Sequence, residues 1–126
     1  MQMTKDNKTT LSIVICTYNR SDFLKNNLAV LLSQIDDTDN IEVIVIDNNS
    51  SDSTRSVVDS FSSVAYYLES QQGLSYARNK GFSVACGEWV VYLDDDAYVD
   101  DSWLDQLFSV IKEQRFDAFG GVYLPW

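Results

Sequence analysis

The stretch that decides the fold is Glu88-Trp-Val-Val-Tyr-Leu-Asp-Asp-Asp96, an apolar run that ends abruptly in three carboxylates. Three earlier segments, at residues 11–16, 41–46 and 64–68, are likewise short, rich in β-branched or aromatic residues and almost continuously apolar. Runs of this kind are typical of strands that are covered on both faces. The sequence therefore predicts four buried strands, of which the last delivers an acidic cluster to one end of the sheet.

Segments with helical periodicity separate these strands and favour an α/β fold with three layers and a mostly parallel sheet, in a single domain over residues 1–126. We expect Ser21 and Ser102 to be N-caps, residues 52–61 to form a weaker helix, and residues 117–123 to add a fifth strand interrupted by Gly120 and Gly121. The apolar stripes of the three stronger helices are Leu24, Leu28, Leu31, Leu32 and Ile35; Leu74, Ala77, Gly81 and Ala85; and Trp103, Leu104, Leu107, Phe108 and Ile111.

Composition excludes several classes of function. The 19 acidic and 9 basic residues give a net charge of -10, which disfavours nucleic acid or an anionic membrane surface as a partner. No apolar run reaches the roughly 18 to 20 residues of a transmembrane segment, and residues 1–10 lack the apolar core of a secretion signal, so we expect a cytoplasmic domain. With no histidine and without CxxC spacing, Cys16 and Cys86 predict buried thiols rather than a zinc site or a disulfide.

Polar residues follow three of the predicted strands at the point where each strand ends. They are Thr17-Tyr18-Asn19-Arg20, Asp47-Asn48-Asn49-Ser50-Ser51-Asp52 and Asp94-Asp95-Asp96-Ala97-Tyr98. Because ligands bind beyond the carboxyl ends of the strands in open parallel sheets, these segments predict a ligand site along one edge.

The aspartate triplet indicates a metal site, because adjacent carboxylates repel one another unless a cation is bound. Asp94 and Asp96, spaced as D-x-D, predict Mg²⁺ or Mn²⁺ held against a diphosphate. Two alternatives stay open at this point. The triplet can be a solvated acidic turn before a helix, or part of a calcium loop in which Asp100 and Asp105 supply further ligands.

The other two polar segments favour a nucleotide. Asp47 or the following amide can hydrogen-bond to a base edge, and Tyr18 can stack on the base. The helix that opens at Gly73 places N–H groups and Arg78 where a phosphate or base contact is expected. Alternatively, Asp47 forms an Asx turn before a helix, and Arg78 pairs with one of the aspartates.

Four segments together resemble the family 2 glycosyltransferases, which have the nucleotide-diphospho-sugar transferase (GT-A) fold. They are Ser12-Ile-Val-Ile-Cys-Thr-Tyr-Asn-Arg20, Val45-Ile-Asp-Asn-Asn-Ser-Ser-Asp52, Gly73-Leu-Ser-Tyr-Ala-Arg-Asn-Lys-Gly81 and Gly87-Glu-Trp-Val-Val-Tyr-Leu-Asp-Asp-Asp96, in the order of the family. The resemblance implies transfer of a sugar from a nucleotide-diphospho-sugar, with UDP expected as the nucleotide, to a saccharide or lipid-linked acceptor. It also implies dependence on Mn²⁺ or Mg²⁺, inversion at the anomeric carbon, and a role in cell-envelope polysaccharide synthesis.

The resemblance further assigns residues to the donor site. Cys16, Thr17, Tyr18, Asn19 and Arg20 are expected to bind the substrate, with Cys16 and Tyr18 at the nucleoside. Asp47 or Asn48 would contact the base with Arg78 nearby, Asp95 would approach the sugar or ribose, and Asp96 would ligate the metal. Asp94 is the second metal ligand that the D-x-D spacing predicts. Two residues depart from the family pattern: Cys16 replaces a proline or threonine, and Asn48 replaces a second aspartate.

The catalytic base of the family comes from a second half of the domain, so we expect it beyond Trp126 and expect this chain to be a truncated piece of a longer enzyme. An edge left uncovered at Val122, Leu124 and Trp126 would favour self-association. The longer protein is expected to lie peripherally at the inner face of the membrane. The alternatives are a receiver-like, Mg²⁺-binding phosphoacceptor domain and a nucleotide-binding fragment without catalysis.

Overall fold

The computed structural model describes residues 9–37 and 39–121 of the chain. Within them, strands and helices alternate, which confirms the predicted α/β fold. The elements are β1 Leu11–Thr17, α1 Ser21–Ser33, β2 Ile41–Asp47, α2 Thr54–Asp59, β3 Val64–Leu68, α3 Leu74–Val84, β4 Trp89–Tyr92 and α4 Trp103–Glu113.

The four strands form one parallel sheet in the order β3-β2-β1-β4. Successive strands add to one side of β1 until α3 carries the chain back across the sheet, and β4 then pairs with the other side of β1. The order therefore reverses between β1 and β4. In open α/β sheets, ligands bind at the carboxyl ends of the two strands that flank such a switch point.

Helices cover both faces of the sheet, which makes three layers. Alternate residues of β1, including Ile13 and Ile15, pack with buried leucines of α1 and α4 and with Val58 of α2. The opposite face of the sheet carries Val14, Ile44 and Ile46 under Ala77 of α3. Because both faces of the central strands are buried, the strand sequences are apolar at nearly every position.

Two apolar predictions are wrong. No strand forms within residues 117–121, and at Gly120 and Gly121 an added Cβ would have no other atom within 4 Å, so these two residues are not packed against the sheet. Residues 122–126, with the rest of the predicted fifth strand and the proposed self-association surface of Val122, Leu124 and Trp126, lie outside the described residues. Leu74 is 55% exposed rather than part of the buried stripe of α3, since it is the first residue of that helix and the buried residues begin at Ala77.

Two polar predictions also need correction. Ser21 is the first residue of α1 and not its N-cap, which is Arg20. The Ser21 N–H is instead satisfied from outside the helix, because it donates to the Asp52 carboxylate at 3.0 Å. Cys86 is exposed, since it lies in the turn between α3 and β4, whereas Cys16 is half-buried, and both thiols are free. Ser102 is the N-cap of α4 as predicted, although its side chain makes no capping hydrogen bond.

Among residues 9–37 and 39–121, no helix is long and apolar enough to cross a bilayer.

Candidate donor-binding site

A cleft of about 570 Å³ opens at the switch point of the sheet. The segment after β1 and the aspartates after β4 meet there, and the loop before α3 forms the facing wall. The lining residues are Cys16, Thr17, Tyr18, Arg20, Asn48, Gln72, Gly73, Leu74, Ala77, Asp94, Asp95 and Asp96. Most of the residues predicted for the substrate are thus brought together. A smaller cleft of about 280 Å³, lined by Ser33, Gln34, Asp101, Leu104 and Asp105, contains none of them.

Asp95 is the buried member of the aspartate triplet, with 6% of its surface exposed. Its Oδ2 accepts a hydrogen bond of 2.9 Å from the Thr17 hydroxyl, and its Oδ1 lies 3.4 Å from Arg20 Nη1. Burial raises the pKa of Asp95, whereas the Thr17 hydroxyl and the Arg20 guanidinium favour its ionised form. These contacts join the end of β1 to the loop after β4.

Asp94 and Asp96 flank Asp95 and are exposed at the cleft. Asp96 Oδ2 lies 3.2 Å from the same Arg20 nitrogen that contacts Asp95. Both carboxylates offer oxygen donors of the kind that Mg²⁺ and Mn²⁺ prefer. Across the described part of the chain, no three acidic or cysteine side chains are gathered closely enough to cage a metal, so the calcium loop through Asp100 and Asp105 is not supported. Two exposed carboxylates do fit a cation that completes its shell with phosphate oxygens and water.

Asn27 holds the main chain of the aspartate loop, and sequence reasoning missed it. It is buried in α1, and its Nδ2 donates to the carbonyl oxygens of Asp94, at 3.0 Å, and Ala97. Its Oδ1 has no hydrogen-bond partner among the described residues. The available signal was an amide next to the stripe of Leu24, Leu28 and Leu31, since a buried polar residue needs partners.

Asn48 fastens the loop that forms the facing wall. Its Nδ2 donates to the carbonyl oxygens of Glu69 at 3.1 Å and Gln71 at 2.8 Å, and its Oδ1 accepts from the Gly73 N–H at 2.9 Å. Gly73 has a φ of 142°, a conformation that suits glycine. The Asn48 side chain, buried at 7% exposure, thus acts as a loop clamp.

Asp47 is buried and is not among the residues that line the cleft. Its two oxygens accept hydrogen bonds from the Ser50 N–H at 2.9 Å and the Tyr66 hydroxyl at 2.7 Å. The first contact spans three residues, one more than the Asx turn that the sequence left open as an alternative. Burial, together with the hydrogen bond to Asp47, raises the pKa of Tyr66 to about 12. The Arg55 guanidinium carbon lies 4.3 Å from the centre of the Tyr66 ring, so Arg55 covers one face of the tyrosine that binds Asp47.

Asn19 and Arg78 also lie outside the lining of the cleft. Asn19 has a φ of 51°, and its side-chain oxygen accepts from the Ser51 N–H at 2.8 Å, so it connects the loops after β1 and β2. The Arg78 carbonyl accepts from the Tyr92 hydroxyl at 2.8 Å. Burial raises the pKa of Cys16 to about 11, although the positive charge of Arg78 opposes this shift.

Comparison with known proteins agrees with this geometry. Residues 12–125 match the model of Glycosyl transferase family 2. The chain is 32% identical over 116 residues to the glycosyltransferase AglE of Haloferax volcanii, covering 88% of this chain and 38% of AglE. It is also 32% identical over 119 residues to a Campylobacter jejuni GalNAc(5)-diNAcBac-PP-undecaprenol beta-1,3-glucosyltransferase, covering 90% of this chain and 37% of that protein. The chain thus spans less than two fifths of either relative.

Solved structures of two proteins share the fold. S. aureus TarS 1-349 in complex with UDP-GlcNAc superposes with a TM-score of 0.74 at 23% identity, over 93% of this chain and 37% of TarS 1-349. The mannosyltransferase PcManGT of Pyrobaculum calidifontis, in complex with GDP-Man and Mn²⁺, superposes with a TM-score of 0.72 at 24% identity, over 90% of this chain and 35% of PcManGT. The family match over residues 12–125 excludes the receiver-like alternative. The chain belongs to Glycosyl transferase family 2 and has the GT-A fold.

Proposed function

We propose that the cleft binds a nucleotide-diphospho-sugar and that the protein transfers the sugar to an acceptor hydroxyl. The observation that carries this proposal is that one cleft at the switch point of the sheet is lined by Tyr18, Arg20, the Asn48 loop clamp and three aspartates. A nucleoside fits between the Tyr18 ring, which is 48% exposed, and the wall before α3. The diphosphate would then extend toward Arg20 and the aspartates.

The electrostatics of the cleft favour a divalent cation as part of the donor complex. At an effective dielectric constant near 20, two like unit charges about 4 Å apart repel by about 4 kcal/mol, so the aspartates alone would repel a diphosphate. We assign Asp94 and Asp96 to Mn²⁺ or Mg²⁺, which would neutralise the leaving nucleoside diphosphate when bound. The Mn²⁺ in the PcManGT complex supports this assignment.

The nucleotide and the acceptor are finer parts of the proposal. We propose UDP as the nucleotide, which the TarS complex supports, and inversion at the anomeric carbon, which rests on the sequence resemblance. A lipid-linked or saccharide acceptor is in line with the undecaprenol-linked substrate in the name of the Campylobacter jejuni relative. The carboxylates that line the cleft are Asp94, Asp95 and Asp96. None is assigned as the general base, because two serve the metal and Asp95 is held by Thr17 and Arg20.

Calorimetric titration tests the proposal. We expect UDP to bind in the presence of Mn²⁺, to bind far more weakly in EDTA, and to compete better than GDP or dTDP. Equal affinity in EDTA would contradict the metal assignment, and equal or better binding of GDP or dTDP would contradict the choice of UDP. Binding without release of UDP from any UDP-sugar would support the non-catalytic alternative instead.

A further inference from the structure

Arg20 occupies a position between the carboxylates that is suited to a cation. A single guanidinium nitrogen, Nη1, lies 3.4 Å from Asp95 Oδ1 and 3.2 Å from Asp96 Oδ2. The Arg20 side chain is 52% exposed and the Asp96 side chain 49% exposed, so this end of the bridge is open to solvent. Exposed ion pairs of this kind are weak and can exchange partners.

The same helix that presents Arg20 also fixes the loop that it contacts. Arg20 is the N-cap of α1, and its carbonyl accepts the first intrahelical hydrogen bond from the Leu24 N–H at 3.0 Å. Asn27, two turns along α1, holds the carbonyl oxygens of Asp94 and Ala97. The backbone positions of Arg20 and of the aspartates are therefore linked, while the guanidinium itself remains free to change partners.

We infer that Arg20 is a resident counter-cation of the donor-free site, which competes with the divalent metal for Asp96 and then turns to the diphosphate. This inference rests on the proposed function. Without donor, the guanidinium reduces the repulsion between Asp95 and Asp96. If Asp96 held a metal, the Arg20 guanidinium would lose this partner but remain at the cleft, where two parallel N–H groups could bind a phosphate. Arg20 thus weakens metal binding before the donor arrives and strengthens donor binding afterwards.

Opposite effects on the two ligands distinguish this role from a merely structural one. In Arg20→Gln without nucleotide, we expect Mn²⁺ to bind about 3- to 10-fold more tightly, because two weak ion pairs no longer compete for the carboxylates. At saturating Mn²⁺, we expect UDP to bind about 10- to 100-fold more weakly, because a charge-assisted contact to phosphate is lost. Arg20→Lys should leave Mn²⁺ affinity near that of the unsubstituted chain and restore part of the UDP affinity.

Both affinities are measured on the whole chain, with Mn²⁺ followed by the paramagnetic resonance signal of the free ion and UDP by calorimetry. Lys25→Gln is the matched control, since it removes one positive charge from an exposed position of α1. It should change neither affinity by more than about twofold. Far-ultraviolet circular dichroism checks that each variant folds.

The outcomes separate this inference from the proposed function. Mn²⁺ affinity that is unchanged or weaker in Arg20→Gln, or unmeasurably low in both proteins, overturns the counter-cation role. Tighter Mn²⁺ binding with unchanged UDP affinity overturns the transfer of Arg20 to the diphosphate. If UDP fails to bind the unsubstituted chain, the proposed function fails, and the Mn²⁺ titration alone decides the counter-cation role.

Discussion

Replacing Asn48 with aspartate tests whether this side chain holds the wall of the cleft or reads the nucleobase. The Asn48 amide donates to the carbonyl oxygens of Glu69 and Gln71 at 3.1 and 2.8 Å. A carboxylate has no N–H and brings negative charge against both carbonyl oxygens. Only the hydrogen bond from the Gly73 N–H, at 2.9 Å, would survive the substitution.

The expected loss follows from these contacts. Each neutral hydrogen bond contributes about 0.5 to 1.5 kcal/mol to stability, so the loop clamp loses about 1 to 3 kcal/mol. Because about 1.4 kcal/mol corresponds to a tenfold change in affinity, we expect UDP with Mn²⁺ to bind roughly 5- to 100-fold more weakly to Asn48→Asp. The wall would no longer be preorganised for the ligand.

Calorimetry measures the affinity, and amide hydrogen exchange at Gly73 measures the loop directly. We expect faster exchange at Gly73 in Asn48→Asp, together with weaker binding of every nucleoside diphosphate. Asn26→Asp, at an exposed position of α1, makes the same chemical change away from the cleft and should alter neither quantity. If UDP binds Asn48→Asp at least as tightly as the unsubstituted chain, the loop-clamp reasoning is refuted. Unchanged Gly73 exchange with altered preference among bases would refute it too, and would show that the side chain reads the base.

Further predictions concern the metal, the thiols and the sheet. Asp96→Asn should weaken Mn²⁺-dependent UDP binding by roughly 10- to 100-fold in calorimetry, because one charged ligand is lost, whereas Asp37→Asn, at an exposed site outside the cleft, should not. With a pKa of about 11 against an ordinary 9.0, Cys16 in a Cys86→Ser variant should hold about 100-fold less thiolate at pH 8 than an ordinary thiol. Its alkylation should therefore rise about tenfold per pH unit up to pH 11, and a plateau reached near pH 9 would contradict the raised pKa. Gly87→Ala should lower the free energy of unfolding in urea by about 1 to 3 kcal/mol, because the added Cβ would lie 2.6 Å from the Ser12 nitrogen and 2.8 Å from the Leu11 carbonyl carbon. Gly120→Ala, with nothing within 4 Å, should stay within about 0.5 kcal/mol, and equal losses in the two variants would argue against the steric cause.

The sequence by itself determined the four strands, the helices between them and the edge at which the cleft lies, but it wrongly added a fifth strand. Apolar runs and helical stripes are local patterns, and their alternation leaves few topologies other than a parallel sheet with covered faces. The acidic end of β4 and the polar end of β1 were therefore assigned to one edge before any contact was known. The sequence pattern wrongly predicted that Leu74 and Cys86 are buried, because burial depends on which distant elements pack over a residue.

Only the tertiary structure decided which polar side chain does what. The sequence does not show which of the three consecutive aspartates is buried. It is Asp95, because its carboxylate accepts a hydrogen bond from the Thr17 hydroxyl, 78 positions away in the chain. Asp47 and Asn48 are neighbours with similar shapes, but their side chains have different partners. Asp47 accepts hydrogen bonds from the Ser50 N–H and the Tyr66 hydroxyl, whereas Asn48 holds the loop before α3. A buried polar group is defined by the partners that replace its water, and those partners are brought to it by the sheet order rather than by adjacent residues.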